Sequence, residues 1–364
     1  MREPDNHIFD HTPDSLADWF ESIGSKRFRA KQVLEWVYQH GVTDPALMTN
    51  LSGRDRDALR DQITFPSCAT IEHARASDGV QKLLVQWDDG DKPTLPIIGD
   101  SSRQTECVMI PSLPGDTRTR RTACISSQVG CPVGCKFCAS GLGGLDGNLS
   151  AGRIIEQVWM LNQLPEVERI TNVVFMGMGE PLANFGPVVD AVRTITAPWG
   201  LGIGARKITI STVGLPKAIE RLAQELEIPV TLALSLHAPN DALRRELIPW
   251  SEHTTINELV DACAIWFERT GREITLEYIL LGGVNDSADQ AVELADVCQR
   301  LRCNVNLIRY NKVEGMPYQR PNDDRVHKFQ DTLRERGINT HIRASRGRDI
   351  AAACGQLRHE QVSA

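Results

Sequence analysis

Three cysteines fall within eight residues, as Cys131-x-x-x-Cys135-x-x-Cys138 in GCPVGCKFC, on a stretch whose glycines and proline favour a loop. A structural zinc site asks for four ligands, commonly in two pairs, and no second pair stands at a suitable spacing. Ferredoxin-type clusters take four thiolates at a related spacing. Three thiolates can hold three corners of such a cluster and leave its fourth iron open to a small molecule. Buried packing cysteines are the plainer alternative, but packing does not require three on one glycine-rich loop. Of the other seven cysteines, Cys124 lies just upstream, and Cys354 in AAACGQL sits among small residues that admit close approach of a ligand or backbone. Cys263, Cys298 and Cys303 fall in amphipathic or strand-like runs and read as small core hydrophobes. Cys68 and Cys107 have no informative neighbours.

Such residues need a frame to hold them. Residues 13–63 read as helical, and RAKQVLEWVYQHG places Ala30, Val33, Leu34 and Val37 on one face before a glycine stop. Short alternating runs between about 69 and 111 predict a small antiparallel sheet, interrupted by a loop-like stretch at 88–104. From about 119 the rhythm changes. RTACISS, TNVVFMG, KITIST, PVTLALSLH, EITLEYILL, NVNLIRY and THIRAS alternate with helix-compatible segments. That alternation implies parallel strands with right-handed crossovers, and the number of units fits an α/β fold of partial (β/α) barrel type. Two regions are expected: an N-terminal accessory region over 1–105, helical and then a small sheet, and a barrel over 106–364 whose C-terminal segment carries Cys354. Chemistry in α/β barrels collects at the C-terminal ends of the strands. The polar residues expected there are the loop 131–138, Gly179 and Glu180, Ser211, Ser235 with His237, Asn285, Asn311 and the segment of Cys354.

The composition, 41% apolar and 24% charged over 364 residues, is that of a globular chain and excludes a disordered one. No run approaches the ~20 apolar residues of a membrane span. The polar, acidic start MREPDNHIFD lacks a secretory pattern, so a cytoplasmic location and no membrane partner are expected. Forty Lys and Arg against forty-seven Asp and Glu give −7, which argues against a uniformly basic surface but leaves room for local patches. KRFRAK at 26–31, DTRTRR at 116–121, and Arg343, Arg346 and Arg348 are the candidate patches.

GCPVGCKFC, with Phe137 before its last cysteine, resembles the signature of the radical S-adenosylmethionine superfamily. SSQVGC, GMGEPL, ISTVG, SLHAPN, LLGGVND, NLIRYN and DIAAACGQL extend the likeness. With the N-terminal FRAKQVLEWVYQHGVTD and MTNLS, they resemble the RlmN/Cfr family of RNA methyltransferases over nearly the whole chain. The resemblance implies that Cys131, Cys135 and Cys138 ligate a 4Fe–4S cluster. It implies that Gly179, Glu180, Ser211, Ser235, Leu236, His237 and Asn311 bind S-adenosyl-L-methionine, two molecules per turnover. One methylates Cys354 and the other yields a 5′-deoxyadenosyl radical that activates the S-methyl group toward adenine. Cys124 would then resolve the RNA–protein adduct by forming a disulfide with Cys354, and Glu106 would take the proton from the base. The implied target is carbon 2 of an adenine in 23S rRNA, at the peptidyl-transferase centre, and of an anticodon-adjacent adenine in tRNA. An electron-donating reductant protein is the other implied partner, and the chain is expected to be monomeric.

Two alternatives stay open. A relative within the same family methylates carbon 8 of the adenine; Pro181 in GMGEP and Val129 in SSQVGC lean toward carbon 2. A non-catalytic iron–sulfur RNA-binding or electron-transfer protein would need none of Cys354, Cys124 and Glu106. The chain also departs from the family pattern in Cys107 beside Glu106, in the length of the loop 90–104, and in the glycine-rich SGLGGLDGN.

Overall fold

The computed structural model describes residues 3–88, 103–113, 115 and 119–357. Most of the loop at 88–104 and the first three residues of DTRTRR lie outside the described residues. The N-terminal region is helical as predicted, with α1 (Pro13–Ser22), α2 (Arg29–Tyr38) and α3 (Gly53–Gln62). Thr12 opens α1 with a capping box to Ser15, and Ser52 caps α3 through the Asp55 N–H. Ala30, Val33, Leu34 and Val37 form the buried face of α2.

Three antiparallel strands follow: β1 (Cys68–Arg75), β2 (Gln81–Trp87) and β3 (Gln104–Pro111). They do not form a small sheet of their own. β3 runs across residues 105 and 106 and pairs with β4 (Arg121–Cys124), matching Val108 with Cys124. A separate hairpin of β5 (Gln128–Gly130) and β6 (Leu145–Asn148) follows. After it come β7 (Asn172–Phe175), β8 (Ile208–Thr212), β9 (Thr231–Ser235), β10 (Ile274–Leu280), β11 (Cys303–Arg309) and β12 (Thr340–Arg343). These six and β4 are mutually parallel, and the ten-stranded sheet runs β1-β2-β3-β4-β7-β8-β9-β10-β11-β12. Each parallel crossover carries helix: α4 (Ala151–Asn162), α5 (Phe185–Thr196), α6 (Pro216–Glu225), α7 (Asp241–Leu247) with α8 (Ile256–Thr270), α9 (Ala288–Cys298) and α10 (Asp323–Glu335). The architecture is therefore a partial (β/α) barrel extended by an antiparallel flank.

The strand faces divide the labour. Successive residues of a strand point to opposite faces. Val173, Phe175, Ile208, Ile210, Leu232, Leu234, Leu276 and Leu307 enter the main core under the helices. The opposite face is not apolar throughout. Toward the strand starts it carries Thr122, Asn172, Thr209, Thr275 and Asn306, all lining one cavity. Among the described residues no helix is long and apolar enough to cross a membrane.

Candidate active site

The three cysteines sit on the connection between β5 and β6. The loop is closed by the Cys131 N–H on the Gly144 carbonyl at 2.7 Å and fastened to the end of α7 by the Lys136 N–H on the Leu247 carbonyl at 3.0 Å. Val133 and Phe137 anchor it in a buried apolar cluster with Ile248, Ile279 and Tyr310. Burial pushes the Cys131 thiol up to about 12, and it raises Cys135 and Cys138, the former also through its neighbouring thiols. Three such thiols ionise together only if a metal stabilises the thiolates. Arg244, 1% exposed, is the cation that attracts Cys135; its guanidinium donates to the carbonyls of Val213 and Leu236. Among the described residues no three His, Cys, Asp or Glu close on a single ion. A donor set of three thiols beside one buried cation fits a multi-iron cluster held at three corners.

A cavity of about 140 Å³ adjoins this loop, lined by all three cysteines together with Gly179, Glu180, Ser211, Ser235 and His237. These are the residues expected at the strand ends. Gly179 has φ +102°, and a Cβ there would lie 2.7 Å from the Gln128 Cβ, so only glycine lets the chain pass. Glu180 accepts the N–H groups of Val213 at 2.7 Å and Leu182 at 3.0 Å. Burial nevertheless carries its carboxyl up to about 7, against those hydrogen bonds. Ser211 and Ser235 share a hydrogen bond of 3.2 Å. His237 has φ +59°, and its Nδ1 accepts the Ile279 N–H at 3.1 Å, which leaves the proton on Nε2. Burial, and then Arg244, lower its pKa to about 3, so the ring is neutral. Asn285 pins this corner by donating to the carbonyls of His237 and Ile279.

A second, larger cavity of about 970 Å³ runs down the barrel interior from there. Cys124, Asn311, Glu277, Arg343 and Cys354 line it, with the threonines and asparagines at the strand starts and Arg120, Arg206 and Lys207 just before the strands β4 and β8. Glu277, Arg343 and Cys354 line the small cavity too, so they form the wall between the two. Cys354 is exposed only in the sense that it faces these spaces; the surrounding protein still raises its thiol to about 11, with Arg343 opposing. Burial raises Cys124 to about 12, and the Cys354 thiol adds to that. Both are free thiols.

Not every expected residue joins this arrangement. Leu236 is buried in the main core, and its N–H donates to the Glu277 carbonyl, so only its backbone borders the site. Asn311 lines the large cavity rather than the small one and donates to the Cys354 carbonyl at 3.2 Å. Glu106, 5% exposed, lies on the same face of β3 as Val108 and Ile110 but outside both cavity walls, with Lys82 Nζ at 2.5 Å from its carboxylate. The expected basic patches also change character. Arg29 is held by the Asn50 carbonyl and Gln32, Arg27 pairs with Asp18 and Glu21, and Arg346 is bound to Asp78. Arg343 contacts Glu277 inside the barrel. Arg206, Lys207, Glu277 and Arg244 were missed; a charge within the apolar run EITLEYILL was the one local signal for Glu277.

Residues 6–64 match the Ribosomal RNA large subunit methyltransferase N-terminal domain, and residues 125–295 match the Radical SAM superfamily. The chain is 41% identical to the probable dual-specificity RNA methyltransferase RlmN of Rhodopirellula baltica, covering 98% of this chain and 91% of that protein. It is 39% identical to the dual-specificity RNA methyltransferase RlmN of Dichelobacter nodosus, over 96% and 93% of the two chains. A crystal structure of a radical SAM methyltransferase from Sphaerobacter thermophilus superposes with a TM-score of 0.89 at 40% identity, covering 98% of this chain and 100% of that one. On this likeness over its whole length, with the cysteine loop and barrel in place, the chain belongs to the RlmN family of dual-specificity radical SAM RNA methyltransferases.

Proposed function

We propose that the chain methylates carbon 2 of an adenine, in 23S rRNA and in tRNA, through a methyl group carried on Cys354. The observation that carries this reading is that Cys354 lines both cavities. A group that collects a methyl on one side and delivers it on the other must face both. Cys131, Cys135 and Cys138 would hold the 4Fe–4S cluster, and Gly179, Glu180, Ser211, Ser235 and His237 would hold S-adenosylmethionine beside it, with the Leu236 backbone and Asn311 at the margin. Bound there, cluster and cofactor supply the methyl group and the one-electron chemistry. Glu180 suits the cofactor's ammonium group as a buried acceptor.

The large cavity is the side for the base. Thr122, Asn172, Thr209, Thr275 and Asn306 offer donors and acceptors to a nucleobase edge. Arg120, Arg206 and Lys207 stand where flanking phosphates would lie. An adenine reaching Cys354 this way must leave its stack. Cys124, on the same cavity wall, would attack the Cys354 sulfur; the disulfide forms as the sulfur–carbon bond of the adduct breaks, its electron pair goes to the methylene carbon, which takes up a proton, and a reductant then resets the disulfide. Glu106 is assigned the proton from carbon 2; reaching the base requires its carboxylate to turn from Lys82. Residues 1–105 act as the accessory RNA-binding region of a cytoplasmic monomer.

The test is anaerobic reconstitution with labelled S-adenosylmethionine and 23S rRNA fragments, followed by nucleoside mass spectrometry. Label is expected on carbon 2, and Cys354→Ala is expected to abolish transfer while keeping the cluster's absorbance. Label on carbon 8 moves the chain to the alternative chemistry, and undiminished transfer by Cys354→Ala sinks the carrier mechanism.

A further inference from the structure

The segment after β12, which carries Cys354, is fastened to the turn between β1 and β2 by contacts that the reaction above does not use. Asp78 stands at the tip of that turn. Its Oδ2 accepts from Arg346 Nε at 2.8 Å and from the Gly347 N–H at 3.0 Å, and its carbonyl accepts from Arg346 Nη2. The third guanidinium nitrogen, Nη1, donates to the Pro111 carbonyl at 3.4 Å. Each guanidinium nitrogen of Arg346 thus has a protein acceptor, which fixes the side chain against the turn. One residue before Asp78, the Ser77 N–H donates to Asp349 Oδ2 at 2.8 Å. Beneath these bonds Val80 packs with Val108, Cys124, Ala352 and Leu357 in one buried cluster. Gly347 has φ +66°, and a Cβ there would stand 2.8 Å from Val80 Cγ1, so the turn seats only against glycine.

The far end of the segment is held by different elements. The Ala139 N–H donates to the Gly355 carbonyl at 2.9 Å and Ser140 Oγ to the Leu357 carbonyl at 2.7 Å, both from the end of the cysteine loop. Between the two anchorages the backbone has little regular structure, and Ala351 takes φ +50°, a left-handed conformation uncommon for a residue with a Cβ. Cys354 thus lies between the cysteine loop on one side and the antiparallel flank on the other, with Asn311 Nδ2 on its own carbonyl at 3.2 Å. A short irregular segment gains local freedom when one of its anchorages is released.

We propose that Asp78 is a positioning residue for Cys354, acting through Arg346 and Gly347 to fix where the sulfur sits between the two cavities. The proposal rests on the reading of Cys354 as the methyl carrier. It gives the antiparallel flank a part in the chemistry: a barrel without that flank would hold the carrier segment only from Cys354 onward, through Asn311, Lys312 and the cysteine loop.

The test uses the full chain with its reconstituted cluster and the variants Asp78→Ala and Asp78→Asn. Hydrogen exchange across 346–357 is expected to accelerate about tenfold or more in Asp78→Ala, as expected for losing charge-assisted hydrogen bonds. Cluster absorbance and the KM for RNA should stay within about twofold, while kcat falls by about 10–100-fold, the scale of a misplacement near 1 Å. Asp78→Asn keeps an oxygen acceptor for the Gly347 N–H and should lie between Asp78→Ala and wild type in both readouts; it carries the test if Asp78→Ala loses its cluster. Wild-type exchange across 346–357, or faster exchange with unchanged kcat, overturns the proposal. The exchange measurement does not depend on the carrier role, which Cys354→Ala tests separately.

Discussion

Glu277 is a carboxylate in the middle of a strand, with its side chain 4% exposed, where a charge survives only with partners. It has two. Asn306 Nδ2 donates to Oε1 at 3.0 Å from the neighbouring strand, and Arg343 Nη1 lies 3.3 Å from Oε2 from the strand beyond. Arg343 in turn is the cation that pulls down the thiols of Cys124 and Cys354. The two halves of this pair should respond unequally to mutation. Arg343→Met strands a buried anion and is expected to cost about 2 kcal/mol, below the usual loss for a fully buried pair because the Arg343 side chain is 35% exposed. Glu277→Gln keeps an acceptor for Asn306 and should cost about 1 kcal/mol or less. Urea denaturation measures both, and equal losses would mean that the charge is not what the site feels. The sequence made the cysteines legible because their spacing is local. It could not reveal this pair, because Asn306 and Arg343 stand 29 and 66 residues from Glu277. No local pattern links residues so far apart.

At the scale of elements, α4 joins the N-terminal region to the site. Its Glu156 accepts the N–H of Ser67 at 2.8 Å and the hydroxyl at 2.6 Å, and lies 3.2 Å from His7 Nε2. The next residue, Gln157, exchanges hydrogen bonds of 2.9 Å with the backbone of Ser126, just past Cys124. Burial alone would lower the pKa of His7, but the Asp10 and Glu156 carboxylates overcome it and hold the ring at about 9. A folded pKa above the unfolded ~6.5 means that the native state binds the extra proton between those values. The stabilisation is full below pH 6.5 and is lost as pH rises toward 9. The melting temperature of the wild type should therefore fall toward that of His7→Gln across this window. A constant gap between the two would show that His7 is not charged in the fold. The helices of this region were legible from periodicity, down to the buried face of α2. The joining of β3 to β4 was not, because alternation identifies a strand but not the neighbour it pairs with.

The whole molecule carries a formal charge of −7 and acts on RNA as a member of its family, so attraction has to be local. The fold was legible as a barrel, and barrel rules direct attention to the C-terminal ends of the strands, where the small cavity is. The larger cavity extends to the strand starts, and isolated threonines and asparagines there gave no sequence signal for it. Arg206 and Lys207 are exposed, immediately precede β8 and line that cavity, and no ion pair commits them among the described residues. If flanking phosphates bind there, each contact releases about 0.7 of a counterion from single-stranded RNA. Replacing both by alanine should reduce the slope of log affinity against log salt by roughly 1.4. The loss in affinity should be largest in dilute buffer and shrink as salt rises, with cofactor cleavage in the absence of RNA unchanged. Fluorescence anisotropy of a labelled RNA stem–loop across a salt series measures this. An unchanged slope would place the RNA phosphates elsewhere and close the N-terminal end of the barrel as the route to Cys354.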